Sequence, residues 1–292
     1  MKILGMGLRG LVGSRIVERL QDKYEFESSG VDITNKDASA QIKDSNAAIV
    51  LHLAAKTDVD GCEKDKPLGS EGEAWRVNVE GTRNIADACR ETNKKLIYFS
   101  TDFVFDGTKD FYVEDDTPNP VNWYARTKYE GEKIVQSLST SWLIIRIAYP
   151  YRANFKKLDF FRAILKRLQK GEKVNAVTDH IFTPTFIDDI VVALDNLIEN
   201  NSTGIFHVVG SQALTPFEVA SIICKTFGYD QSLIVRTTRS EFFKNRATRS
   251  FQLHLRNDKI ARLGVKMKTF EEGIKEIKRQ MENSEFKITN TK

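Results

Sequence analysis

Short apolar runs and helical stretches alternate through the first half of the chain. The β-forming runs are Lys2 to Met6, Glu25 to Val31, Ala48 to Leu53, Lys95 to Ser100 and Trp142 to Ile147. Between them, apolar positions recur at helical spacing over Val12 to Gln21, Glu71 to Glu91 and Trp123 to Leu138. Strands that alternate with helices of this length predict an α/β fold, a doubly wound, Rossmann-like parallel sheet covered on both faces.

After Pro150 the rhythm loosens. An amphipathic helix is expected over Leu158 to Gln169, a turn at Pro184, a helix over Asp188 to Glu199 and a strand over Ile205 to Val209. A helix opened by Thr215 is expected over Pro216 to Phe227, and a closing helix over Phe270 to Met281. This pattern divides the chain into a dinucleotide-binding domain over residues 1–150 and a smaller C-terminal lobe, mainly substrate-binding, over 151–282. Late segments of that lobe are expected to return to the first sheet. The polar residues 283–292 are expected to fray.

The net charge of +4 is spread along the chain rather than gathered in blocks, so no nucleic-acid partner is implied. The apolar run Ala47 to Leu51 is far short of the roughly 20 residues a membrane helix needs, and no membrane association is expected. The apolar start Met1 to Val12 is broken by glycines and Arg9, and reads as a strand and its turn rather than a leader. Three widely spaced cysteines, Cys62, Cys89 and Cys224, form neither a metal pattern nor a disulfide framework, which leaves the reducing cytoplasm as the expected location.

The candidate chemistry begins with GLRGLVG, Gly7 to Gly13, placed between the first strand and the first helix. There one glycine makes the turn, one lets backbone approach a diphosphate and one lets helix pack on strand, while the helix N-terminus offers N–H donors. The turn also contains Arg9, Leu11 and Val12, which join Gly7, Gly10 and Gly13 as candidate cofactor contacts. Asp32, followed by Ile33, stands nineteen residues after Gly13, near the distance at which an acid holds an adenosine ribose. Arg9 could instead hold a 2′-phosphate, since its planar fork suits phosphate oxygens. The two residues point to NAD(H) and NADP(H) respectively; their plainer readings are a turn-capping Asp32 and a solvated Arg9.

Tyr124 and Lys128 share a helix face in YARTK. An ammonium beside a phenol favours the phenolate, which brings the tyrosine's proton exchange closer to neutral pH. Thr101, in STDFVFDG at the end of the fourth strand, could donate to a substrate oxygen, or Thr101 and Asp102 could merely satisfy loop backbone. His52 reads as a packed histidine. The helix carrying Arg162, Lys166, Arg167 and Lys170 reads as a solvated surface helix.

Taken in order, GLRGLVG, LAAKTDVDGCEKD, STDFVFDG, YARTK and TPTFIDD resemble the extended short-chain dehydrogenase/reductase family, and within it the dTDP-4-dehydrorhamnose reductases. The resemblance spans nearly the whole chain. It implies a reductase acting on a nucleotide-linked 4-keto-deoxysugar, with NADP(H) or NAD(H) as cofactor, Tyr124 as general acid, Lys128 on the nicotinamide ribose and Thr101 at the developing oxyanion. It places Leu53, Ala54, Ala55 and Lys56 beside the cofactor, and Thr57, Asp58, Asp102, Phe103 and Tyr149 near the sugar. Phe103 stands where the dehydratase branch carries an acid; Phe103 and Tyr149 also replace the tyrosine and tryptophan of the reductase pattern, and the segment between Gly13 and Asp32 is short. The resemblance leaves two other readings: a nucleotide-sugar 4-epimerase that retains its NAD, and a noncatalytic cofactor-binding subunit like the beta subunit of methionine adenosyltransferase. A homodimer could use the helices at Glu71 to Glu91 and Trp123 to Leu138, whose apolar positions can equally face their own sheet.

Overall fold

The computed structural model describes residues 1–289, with side chains to residue 283. Its centre is a six-stranded, wholly parallel sheet built from β1 (Lys2–Met6), β2 (Glu25–Ser28), β3 (Ile49–His52), β4 (Lys95–Thr101), β5 (Trp142–Ile147) and an edge strand, Gly204–His207. The spatial order is edge strand, β5, β4, β3, β1, β2. β3 and β4 are buried at every position, as near-continuous apolar runs dictate when helices cover both faces. The edge strand pairs with β5 from Gly204 opposite Leu143 to His207 opposite Arg146, so a late segment completes the first sheet.

Side-chain alternation gives the sheet two cores. On one face Ile3, Leu51, Ile97 and Ile145 meet Ile16 and Leu20 of the helix Leu11–Leu20 and Ile190, Leu194 and Leu197 of the helix Ile187–Glu199. On the other, Leu4, Val50, Leu96 and Ile144 meet Ile85 and Cys89 of the helix Thr82–Glu91 and Val135 of the helix Trp123–Gln136. Both helices suggested for a dimer seam thus spend apolar positions on their own sheet.

The second lobe has its own core, in which Tyr151, Phe161, Phe182 and Phe186 pack with Val219, Ile223, Phe270 and Ile274. The helix Pro216–Phe227 opens as its sequence predicts, with a reciprocal cap between Thr215 and Glu218. The closing helix, Phe270–Thr289, runs past its expected end into the stretch expected to fray; residues 290–292 lie outside the described residues.

Two local expectations are corrected, and one helix appears where none was anticipated. The stretch Glu71 to Glu91 is broken: a 3₁₀ segment ends at Glu71, and a π-helical turn, Arg76–Gly81, precedes the regular helix Thr82–Glu91. Within that turn the Asn78 side chain is committed to groups outside its own helix, the Lys56 backbone and Thr127. A helix not marked by strong periodicity, Lys36–Asp44, holds on through two buried residues, Ala38 and Ile42. Arg162 is buried rather than solvated: its Nε donates to Asp159 Oδ2 at 3.0 Å and its guanidinium reaches the carbonyls of Phe155 and Lys157. None of the helices among the described residues is long and apolar enough to cross a membrane.

Candidate active site

The strand order reverses direction around β1, which leaves a crevice between the ends of β1 and β3, where open parallel sheets take their ligands. Gly7 has φ of +91°, and a Cβ there would stand 2.7 Å from the backbone nitrogen of Ala54. A Cβ on Gly13 would meet Gly7 O and Leu8 Cα, each at 2.7 Å. The glycines therefore set both the turn and its closeness to residues 53–56. Gly10 caps the helix Leu11–Leu20 without any side-chain acceptor, and its first turn holds no acid. Its N–H groups are free to face an anion, which is what a diphosphate requires. Val12 is buried and Leu11 partly so, as packing supports of this turn.

Gly13→Ala is expected to weaken NADPH binding at least tenfold, because the new methyl meets backbone rather than a flexible side chain, forcing the turn apart. Isothermal titration with NADPH measures this directly.

The two residues that bear on cofactor choice differ in commitment. Asp32 Oδ1 accepts from Thr34 N and Thr34 Oγ1, both at 2.9 Å, and these bonds lower its pKa. It is thus a turn-holding acid, with Arg76 close enough to lower its pKa further. Ile33 is buried, and its carbonyl accepts from Asn84 at 3.0 Å, so it supports rather than lines an open surface. Arg9 is exposed and makes no hydrogen bond or ion pair with the described residues.

Beyond β4 and β5 the structure gathers Thr101, Asp102, Phe103, Tyr124 and Tyr149. Thr101 Oγ1 donates to Asp102 Oδ1 at 3.0 Å and receives the Phe103 N–H at 3.3 Å. The Phe103 ring meets Tyr124 edge-on at 5.9 Å and Tyr149 at 6.0 Å. Tyr149 holds φ of +40°, uncommon for a residue with a side chain, and its ring packs on Phe182 at 4.2 Å with its hydroxyl 3.3 Å from His180 Nε2. Tyr149 is only partly buried, so it can serve both packing and contact.

The helix carrying Tyr124 is capped by Asn122, whose Oδ1 accepts from Ala125 N at 2.9 Å. Burial drives the Tyr124 phenol well above its ordinary value, and the neighbouring Thr101 hydroxyl only partly offsets this. Lys128 lies one turn on and is also buried. Its Nζ donates to Phe99 O at 2.8 Å and sits 4.0 Å above the Tyr98 ring. Burial pulls its pKa down to about 7 against the opposing charge of Glu132. The pair shares a face as its spacing predicts, but the expected lowering of the phenol by the ammonium is absent from this geometry, because Lys128 is turned to the strand.

Thr57 and Asp58 are exposed at the head of the helix Val59–Asp65, where Asp58 Oδ1 accepts from Gly61 N at 3.1 Å as its cap. The ammonium of Lys56 pairs with Glu73. Leu53, Ala54 and Ala55 line the crevice opposite the glycine turn, each partly buried. His52 is a core residue: its Nε2 lies 3.1 Å from Thr82 Oγ1, and burial takes its pKa down to about 3. All three cysteines are free and buried. Among the described residues no His, Cys, Asp and Glu cluster is arranged to hold a metal.

Two supports escaped sequence reasoning. Asn78, in the π-helical turn, accepts from Lys56 N at 2.8 Å and donates to Lys56 O at 3.0 Å and to Thr127 Oγ1 at 2.9 Å. It pins the residue 53–56 loop to the tyrosine helix. The second is a strap, residues 247–250. Arg249 NH2 donates to Asp60 at 2.9 Å, Thr248 O accepts from Asn122, Ser250 Oγ donates to Phe105 O and Ser250 O faces His180 Nδ1 at 2.8 Å. Polar residues in an aperiodic stretch give no signal of such distant partners.

A family model described as the RmlD substrate binding domain matches residues 1–283. The chain is a member of the RmlD family. This RmlD-family protein is 32% identical over 257 residues to a dTDP-4-dehydrorhamnose reductase of Mycobacterium tuberculosis, covering 84% of the chain and 81% of the relative. It is 28% identical over 298 residues to the methionine adenosyltransferase 2 subunit beta of Bos taurus, covering 94% of the chain and 86% of the relative. Among solved structures, a dTDP-4-dehydrorhamnose reductase of Bacillus anthracis in complex with NADP superposes with a TM-score of 0.88 at 27% identity, over 96% of this chain and 99% of that one. The family and the fold agree: the RmlD-family protein has the Rossmann-like architecture of the extended short-chain dehydrogenases/reductases.

Proposed function

We propose that the protein reduces the 4-keto group of a nucleotide-linked deoxysugar, dTDP-4-dehydrorhamnose foremost, and yields the 4-hydroxy sugar. As an NAD(P)-dependent oxidoreductase it has a crevice that fits a dinucleotide: a glycine turn a Cβ would fill and an uncapped helix N-terminus. The observation that carries the reading is the gathering of Thr101, Asp102, Phe103 and buried Tyr124 at the carboxyl end of β4, with Lys128 one helical turn on from Tyr124. The bound nicotinamide would supply the hydride. Gly7, Gly10 and Gly13 would hold its diphosphate and Lys128 its ribose. Tyr124 donates a proton to the sugar oxygen as charge develops there, and Thr101 shares that oxygen's charge. Phe103 and Tyr149 supply apolar ring faces that suit a deoxysugar, and Asp102 a polar one.

NADPH is expected to serve at least as well as NADH. Arg9 is uncommitted and Asp32 is occupied by its own turn, and a charge-assisted contact to a 2′-phosphate contributes about 1.5 to 3 kcal/mol. An Arg9→Ala variant that keeps the ratio of kcat/KM values for the two cofactors would remove Arg9 from that role.

The deciding experiment follows NAD(P)H oxidation with a panel of nucleotide 4-ketosugars. Turnover with the dTDP-linked 4-keto-6-deoxysugar is expected. Release of tightly held NAD on denaturation, with C4 interconversion of a sugar and no net oxidation, would favour an epimerase. No turnover together with a stable complex with an adenosylmethionine synthetase would favour a regulatory subunit.

A further inference from the structure

The Lys128 ammonium carries a full charge and three N–H donors, and burial has stripped it of most of its water. Phe99 O accepts from it at 2.8 Å, and this is its single hydrogen bond among the described residues. No carboxylate among the described residues forms an ion pair with it. Glu132, one turn on, is taken by Arg146, whose Nε and second terminal nitrogen donate to its two oxygens at 2.9 and 2.7 Å. What does face the ammonium is the Tyr98 ring, with its centroid 4.0 Å away. A cation over an aromatic face is attracted by the negative face of the ring quadrupole, and the attraction grows where water is excluded.

The ring is held in that position. Tyr98 is fully buried on β4, opposite His52 of β3, and the two rings stand 5.3 Å apart. Its hydroxyl donates to Lys128 O at 3.4 Å, and a Cβ on Gly131 would fall on that hydroxyl, so the tyrosine helix needs glycine there to admit the ring. His52 is engaged with Thr82 Oγ1 and burial takes its pKa down to about 3, so it stays neutral and adds no second positive charge beside Lys128.

We propose that Tyr98 is a positioning residue for Lys128: its ring face holds the ammonium charged and in place, so that the N–H groups not spent on Phe99 are left for the cofactor ribose. The proposal rests on the reductase reading above, in which Lys128 holds that ribose. Burial pulls the ammonium down to about 7 against the charge of Glu132, so near neutral pH a modest attraction decides whether Lys128 is charged. Among the described residues the titratable groups around it are Tyr98 from β4, His52 from β3, and Tyr124 and Glu132 from its own helix. Of these, the Tyr98 ring can be weakened without changing a charge. The direction follows: Lys128 is an ammonium below its pKa, a weaker ring face lowers that pKa, and the charge that meets the cofactor is then lost at a lower pH.

The test replaces Tyr98 in the full chain with phenylalanine, 4-fluorophenylalanine and 3,4,5-trifluorophenylalanine. Ring and packing are kept while each fluorine draws charge from the ring face. The Lys128 ¹⁵Nζ resonance, assigned by its loss in Lys128→Met, is titrated in the cofactor-free protein. Tyr98→Phe is expected to titrate as wild type does, because the face is kept. The trifluorinated ring is expected to lower the Lys128 midpoint by about one pH unit, and the single fluorine, placed where the hydroxyl already has room, by about a third of that. NADPH binding by the trifluorinated chain is expected to weaken up to about tenfold at about pH 8 and less than about twofold at about pH 6. A Lys128 midpoint unchanged across the fluorine series overturns the proposal, because the ring would then serve packing alone. A shift as large in Tyr98→Phe as in the trifluorinated chain also overturns it, by assigning the effect to the hydroxyl. If the trifluorinated chain does not fold, the phenylalanine and single-fluorine chains decide by the same rule. Wild type inert toward every ketosugar overturns the reductase reading instead, and the NMR series still judges the role of Tyr98.

Discussion

Tyr124→Phe is expected to fold, to bind NADPH as wild type does and to lose about 10²- to 10⁴-fold of kcat, the usual worth of a positioned general acid. The phenyl ring keeps the edge-on packing against Phe103 and the burial of the helix face, so the loss isolates the hydroxyl. Single-turnover rates with NADPH and the ketosugar, set beside NADPH dissociation constants, check both halves. Near-normal turnover would exclude Tyr124 as the acid. A variant that lost cofactor binding as well would instead place the hydroxyl in the support of the crevice.

The second large effect lies beneath the site. Arg146 on β5 and Glu132 on the tyrosine helix form a two-pronged pair at 2.9 and 2.7 Å, with side chains 1% and 0% exposed. The Arg146 guanidinium also lies 5.0 Å over the Phe105 ring and reaches His207 Nε2 at 3.4 Å. Arg146→Leu would strand a carboxylate in the core, and is expected to destabilise the fold by about 3 to 5 kcal/mol. Arg146→Leu with Glu132→Leu is expected to recover much of that loss, because neither charge is then left uncompensated. Urea unfolding midpoints of the two variants make the comparison; equal loss in both would mean that the pair contributes by shape alone. Glu132 also raises the pKa of Lys128, so the double variant should favour the neutral amine at Lys128 more strongly.

The inner strands β3, β4 and β5 were legible because helices cover both of their faces, so they appear as near-continuous apolar runs. The glycine turn and the Tyr124 and Lys128 pair were legible because their geometry is local: one turn of chain, one turn of helix. What escaped reading depends on partners far along the chain. Arg146 in WLIIRI breaks an apolar strand, and partners distant along the chain, Glu132 first, with Phe105 and His207, explain it. Asn78 reads as an ordinary helix residue until the Lys56 backbone stands beside it. The direction of the Lys128 ammonium was likewise out of reach, since spacing fixes which face a side chain leaves from but not which acceptor it finds. Asp32 shows the opposite case: its position invited a ribose contact, while the nearer partner, Thr34, had already taken one carboxylate oxygen.

The edge strand Gly204–His207 also bears on how the protein is made. β5 leaves the ribosome more than fifty residues before the strand that covers its outer side. Until then WLIIRI presents a row of unpaired N–H and C=O groups on an apolar surface, the condition under which strands of different chains join. A nascent chain halted between residues 150 and 200 would thus be a sticky intermediate, and a gene cut near residue 150 should yield an insoluble first half. Co-expression of residues 151–292 in trans should restore solubility only if its edge strand can still dock beside β5.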